Sequence, residues 1–114
     1  MLFFRWWILM LKHHTDAMAA RWPAFSPGKQ LMMVANELNR AGHWIAKGDP
    51  DEVRLCYERA LDLLWLTINA AKGFPLLREL CRAKEILLTL YSTTPTERNN
   101  SLLQAGLIAL NPES

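Results

Sequence analysis

The chain is poor in the residues that would announce a chemistry. It has two cysteines in 114 residues, Cys56 and Cys81, and they form no Cys-x-x-Cys pair. That argues against a disulfide-stapled secreted scaffold and against a thiolate metal site. Each cysteine has apolar neighbours in a helical pattern, where a free thiol packs as a small hydrophobe; a reducing cytoplasm is the compartment this implies. Glycine is sparse, five residues, and none makes a phosphate-cradling loop or a Gly-x-Ser-x-Gly elbow. None of His13, His14 and His43 has Glu three residues before it, so the Glu-x-x-His pairs of a di-metal bundle are missing. No metal or cofactor is expected. Strand-like alternation is also missing, which removes the dinucleotide-binding α/β folds. Net charge is only +2, too little to signal nucleic acid.

What is present is helix. Hydrophobic residues make up 51% of the chain and charged residues 21%, an ordinary globular balance. The stretch 49–73 carries its own start and stop. Asp49 suits an N-cap, Pro50 the first helical position, and Glu52 the site three residues on; Lys72 suits a last turn and Gly73 a left-handed closure. From Ala60 to Ala71 only Asp62, Thr67 and Asn69 interrupt an apolar surface, so this helix should be covered on several sides. Before it, Ser26 and Pro27 open a helix in which Leu31, Val34, Leu38, Ala41 and Ile45 form one stripe. Asn36, Asn39, Arg40, His43 and Lys47 occupy the rest of that helix, and Ala41-Gly42 would let another helix approach closely. After it, Leu76, Leu80, Ala83, Leu87 and Leu90 line one face, with Arg78, Glu79, Arg82 and Glu85 outside it. Thr94 followed by Glu97 resembles a capping box. The prediction is an all-α, up-and-down bundle in one domain, 1–114. It has four main helices over about 2–20, 27–47, 50–72 and 75–92, plus a short C-terminal helix over 95–110.

The first eleven residues hold ten apolar ones, with Arg5 among them. The run is too short to span a bilayer, which takes about 20 residues, and no clear small-residue cleavage site follows it. A helix buried in the bundle or in a subunit interface accounts for it best. An interfacial membrane anchor, a signal and a mis-chosen start are the alternatives. Phe3, Phe4, Trp6, Trp7 and Met10 are therefore the candidate interaction surface. Charge is uneven, net +4 over residues 1–47 and −2 over 48–114.

Residues 34–61 resemble the tetratricopeptide repeat. Gly48 and Asp49 fall at its turn; Val53, Tyr57, Ala60 and Leu61 fall near the small, aromatic and Ala-Leu positions of its second helix, and Ala41 at the small position of its first. Glu37 and Arg40 stand where that repeat carries large apolar residues. The resemblance implies a helical hairpin and protein–protein interaction.

Two polar features remain. Arg40 and His43, three apart with Asn36 and Asn39 nearby, are the best catalytic grouping; with Asp62 they would serve a small nucleotide- or RNA-processing factor if all three met in one pocket. Arg54, Glu58 and Asp62 recur at four-residue steps. That stripe is expected to be the exposed edge of its helix, the alternatives being a buried ion pair of Asp62 with Arg78, Arg82 or Arg40, or a site. The leading functional expectation is a non-enzymatic interaction module: an adaptor, small chaperone or regulatory subunit. It would bind itself, a dimer being favoured, or another protein. A peripheral membrane protein is the third reading.

Overall fold

The polypeptide is organised by its caps. The structure, a computed structural model, describes residues 16–112. Its helices are α1 (Asp16–Arg21), α2 (Pro27–Lys47), α3 (Pro50–Ala70), α4 (Phe74–Ser92) and α5 (Glu97–Ala109), with a 3-10 turn at Trp22–Ala24. No strand occurs among the described residues. Ser26 starts α2 by accepting the Lys29 backbone N–H through Oγ at 3.2 Å. Asp49 does the same for α3, accepting from the Glu52 N–H at 3.2 Å. Both caps satisfy donors that have no partner inside the helix. Between them Gly48 takes φ 72°, ψ 34°, the left-handed conformation that closes α2 at least cost for glycine. With only Gly48 and Asp49 between them, α2 and α3 fold back as a hairpin, and theirs is the most extensive helix–helix contact.

The second most extensive contact joins α2 to α5. As α3 also packs on α4 and α4 on α5, helices α2 to α5 close a ring. Its core holds Leu31, Val34, Leu38 and Ala41 from α2; Cys56, Tyr57, Ala60, Leu61 and Leu64 from α3; Leu80, Ala83, Leu87 and Leu90 from α4; and Leu103 and Leu107 from α5. Truncating one such leucine to alanine costs about 2–5 kcal/mol. The central position of α3 is visible in burial: eleven of its residues are buried, against four in α4 and three in α5. Trp22, 1% exposed, is pinned to the end of α3. Its indole N–H donates to Thr67 Oγ1 at 3.2 Å, and Gln30 Nε2 donates to its carbonyl at 2.8 Å.

Several boundaries differ from expectation. Residues 2–15 of the expected first helix lie outside the described residues. Helix α3 stops at Ala70, and Ala71 turns extended (φ −63°, ψ 134°). Gly73 does have positive φ, 96°, but as the residue capping α4 rather than the one closing α3. The last helix begins at Glu97, capped by Thr96, whose Oγ1 accepts from the Asn99 N–H at 3.1 Å. The cap is therefore Thr96, two residues after the expected Thr94. Glu97 then stands in the first turn, where the helix dipole favours a carboxylate.

Candidate interaction surface

The polar stripe of α3 is not an exposed edge. Arg54 is exposed, but Glu58 is 4% exposed and Asp62 has no exposed surface. Tyr91 on α4 donates its hydroxyl to Glu58 Oε2 at 2.6 Å. The periodicity is as expected; what differs is that the neighbours of α3 close over the stripe. Arg78 and Arg82 are exposed on α4, and Arg40 is bonded elsewhere. Arg40 Nη1 donates to Glu37 Oε1 at 3.1 Å, its own side chain staying 64% exposed. His43 is exposed and meets Trp44 edge-on at 5.1 Å. The structure thus leaves Arg40 and His43 facing solvent and encloses Asp62, so the three share no solvent-open site. Phe3, Phe4, Trp6, Trp7 and Met10 lie outside the described residues.

Three polar arrangements missed by the sequence reading hold helices together. Tyr57 donates to Asn100 Oδ1 at 2.8 Å while Asn100 Nδ2 donates to the Leu38 carbonyl at 2.8 Å, joining α3, α5 and α2. Burial pushes the Tyr57 phenol up to about 12. Glu37, 8% exposed, accepts from Arg40 and, through Oε2, from Arg59 Nε at 3.1 Å. Burial works against the Arg59 charge, but the bond and charge of Glu37 outweigh it and hold the guanidinium protonated. Arg59 Nη2 also donates to Cys56 Sγ at 3.4 Å; even so, burial leaves that thiol harder to ionise than usual. The third is the Tyr91–Glu58 bond, whose carboxylate acceptor raises the Tyr91 phenol. Glu37 can stand enclosed on α2 because two arginines reach it. The Glu37–Arg40 spacing is visible within α2, but Arg59 comes from α3 and no signal in α2 points to it.

Grooves open among the described residues. The first runs between α4 and α5, the loosest pairing in the ring, with a volume of about 500 Å³. Ala83 and Gly106 keep it wide, Leu103 and Leu107 form part of its floor, and Glu79 and Arg82 lie on the α4 side. Ile86, 44% exposed, and Leu102, 62% exposed, stand within it. Covering what remains exposed of each is worth about 1–2 kcal/mol. The second groove, about 380 Å³, lies where the α2–α3 and α4–α5 turns meet, and is walled by Trp44, Tyr57 and Tyr91. No group of His, Cys, Asp and Glu suited to a metal occurs among the described residues. None of the described helices is long and apolar enough to cross a membrane.

These features define an all-α bundle with an open apolar groove between α4 and α5. No protein-family model matches the chain, and neither does any curated protein or solved structure.

Proposed function

We propose that the protein is a non-enzymatic interaction module that binds an amphipathic helix in the groove between α4 and α5. The observation carrying this reading is the groove itself: Ile86 and Leu102 stand exposed above a leucine floor, at a helix pair that packs loosely. A helix laid there with apolar residues at three- and four-residue steps would cover both side chains. The resemblance of residues 34–61 to a tetratricopeptide repeat points to the same class of function. Self-association, as a dimer, is the favoured form, with a helix of another protein as the alternative occupant. The free cysteines Cys56 and Cys81 suit a reducing compartment, and we place the protein in the cytoplasm.

Light scattering on the full chain, an I86D/L102D variant and a chain lacking residues 1–11 tests this. The native chain is expected as a dimer and the groove variant as a monomer with an unchanged circular dichroism spectrum. Loss of the dimer on truncation instead would move the interface to the N-terminal residues.

A further inference from the structure

We infer that the groove at the turn end of the bundle is a binding site for a small molecule carrying an aromatic ring and a carboxylate. Its size, about 380 Å³, is that of a small-ligand pocket, and such pockets are aromatic-lined with a few placed polar groups. Trp44 and Tyr91, both half-buried, wall it, and the enclosed Tyr57 ring lies beneath them. Tyr57 is fixed by its hydrogen bond to Asn100 at 2.8 Å. Tyr91 is fixed by its bond to Glu58 at 2.6 Å. Trp44 packs edge-on against His43 at 5.1 Å. A ring already held by a hydrogen bond loses little freedom when a ligand stacks on it, so Tyr91 is preorganised for a flat partner.

Charge decides the rest of the ligand. Asp49 lines the groove as the N-cap of α3, where its carboxylate accepts the Glu52 N–H and the positive end of the helix dipole partly offsets its charge. Glu58, behind Tyr91, is enclosed and accepts that phenol. Arg54 also lines the groove, is exposed, and forms no ion pair with a carboxylate among the described residues. Its guanidinium is the exposed cation of the lining, and its planar fork matches a carboxylate in two parallel hydrogen bonds. Thr94, exposed at the opposite turn, adds a hydroxyl donor. An aromatic acid satisfies the wall and the guanidinium together; an aromatic amine would meet the like charge of Arg54. The site is separate from the α4/α5 groove and does not depend on what occupies that groove.

The test is a titration of the full chain, followed by amide NMR, with 3-phenylpropionate, its neutral amide and 3-phenylpropylamine. The acid is expected to move resonances within residues 44–57 and 90–95 and to bind at least about tenfold more tightly than the amide or the amine. In an R54Q variant, which changes an exposed side chain, the acid should fall to the level of the amide. Equal binding of acid and amide by the native chain would overturn the proposal, as would preference for the amine or shifts that map elsewhere. Absence of shifts with the acid would do the same, and none of these outcomes depends on the variant folding.

Discussion

The contact between Gly42 and Asn100 offers a quantitative test of how α5 closes the ring. A Cβ built on Gly42 would sit 3.1 Å from Asn100 Nδ2, closer than carbon and nitrogen ordinarily approach. Replacing glycine by alanine within a helix normally gains about 1 kcal/mol. Here the amide cannot step aside freely, because the 2.8 Å bonds to the Leu38 carbonyl and the Tyr57 hydroxyl hold it. Overpacking of this kind costs about 1–3 kcal/mol, so Gly42→Ala should lower stability by about 1 kcal/mol net. Asn100→Ala alone removes two hydrogen bonds and strands a tyrosine hydroxyl that is 1% exposed, a loss of about 3 kcal/mol. In the Asn100→Ala background the obstruction is gone, and Gly42→Ala should recover its gain of about 1 kcal/mol. The coupling in the double-mutant cycle is then about 2 kcal/mol, well above the roughly 0.5 kcal/mol within which independent sites add. Urea unfolding of the four proteins measures it. Were Gly42→Ala to stabilise both backgrounds by the same amount, α5 would not pack on α2 through this contact and the reasoning would fail.

Two further outcomes follow from buried groups. Because the folded-state value of Tyr57 is raised from 10.0 to about 12, its contribution to stability is present below about pH 10 and lost as pH rises through about 12. Urea midpoints across that range should fall less steeply for Tyr57→Phe than for the native chain; parallel curves would show the phenol is not enclosed. Cys56 is fully buried with a raised thiol and Cys81 is half-buried, so alkylation of the folded protein at about pH 8 should modify Cys81 and spare Cys56 until urea is added. Equal rates at both positions in the folded state would contradict the packing of α2 on α3.

What could be read in advance was local. Ser26 and Asp49 cap the next helix through atoms within three residues, and the stripes of α2 and α4 repeat at the helical period, so neither needs knowledge of a partner. The failures arise where the deciding atom comes from another helix. Four-residue spacing groups Glu58 with Asp62 but cannot say which face is covered, and it was Tyr91, 33 residues away, that supplied a donor to Glu58. Asn100 looks like an ordinary polar position in a weak helix until Tyr57 and Leu38 are brought to it. Ala41-Gly42 did signal a close approach, though only the fold identifies α5 as the helix that makes it. The α4/α5 groove was illegible for the same reason: Ile86 and Leu102 fall off the core stripes of two helices, and only their juxtaposition makes a surface. The grouping of Arg40, His43 and Asp62 turns on burial in the same way: Asp62 is enclosed while Arg40 and His43 are exposed, which their spacing does not reveal.

The central claim is that the α4/α5 groove is where this protein meets another helix. Photo-crosslinking tests it directly, with benzoylphenylalanine placed at Leu102 in the purified chain and, as a control, at Asn36, an exposed polar position on α2. The account predicts an intermolecular crosslink from position 102 that maps to α4 or α5 of a second copy, and little or none from position 36. Equal crosslinking from both positions, or none from position 102 at concentrations where light scattering finds a dimer, would contradict it.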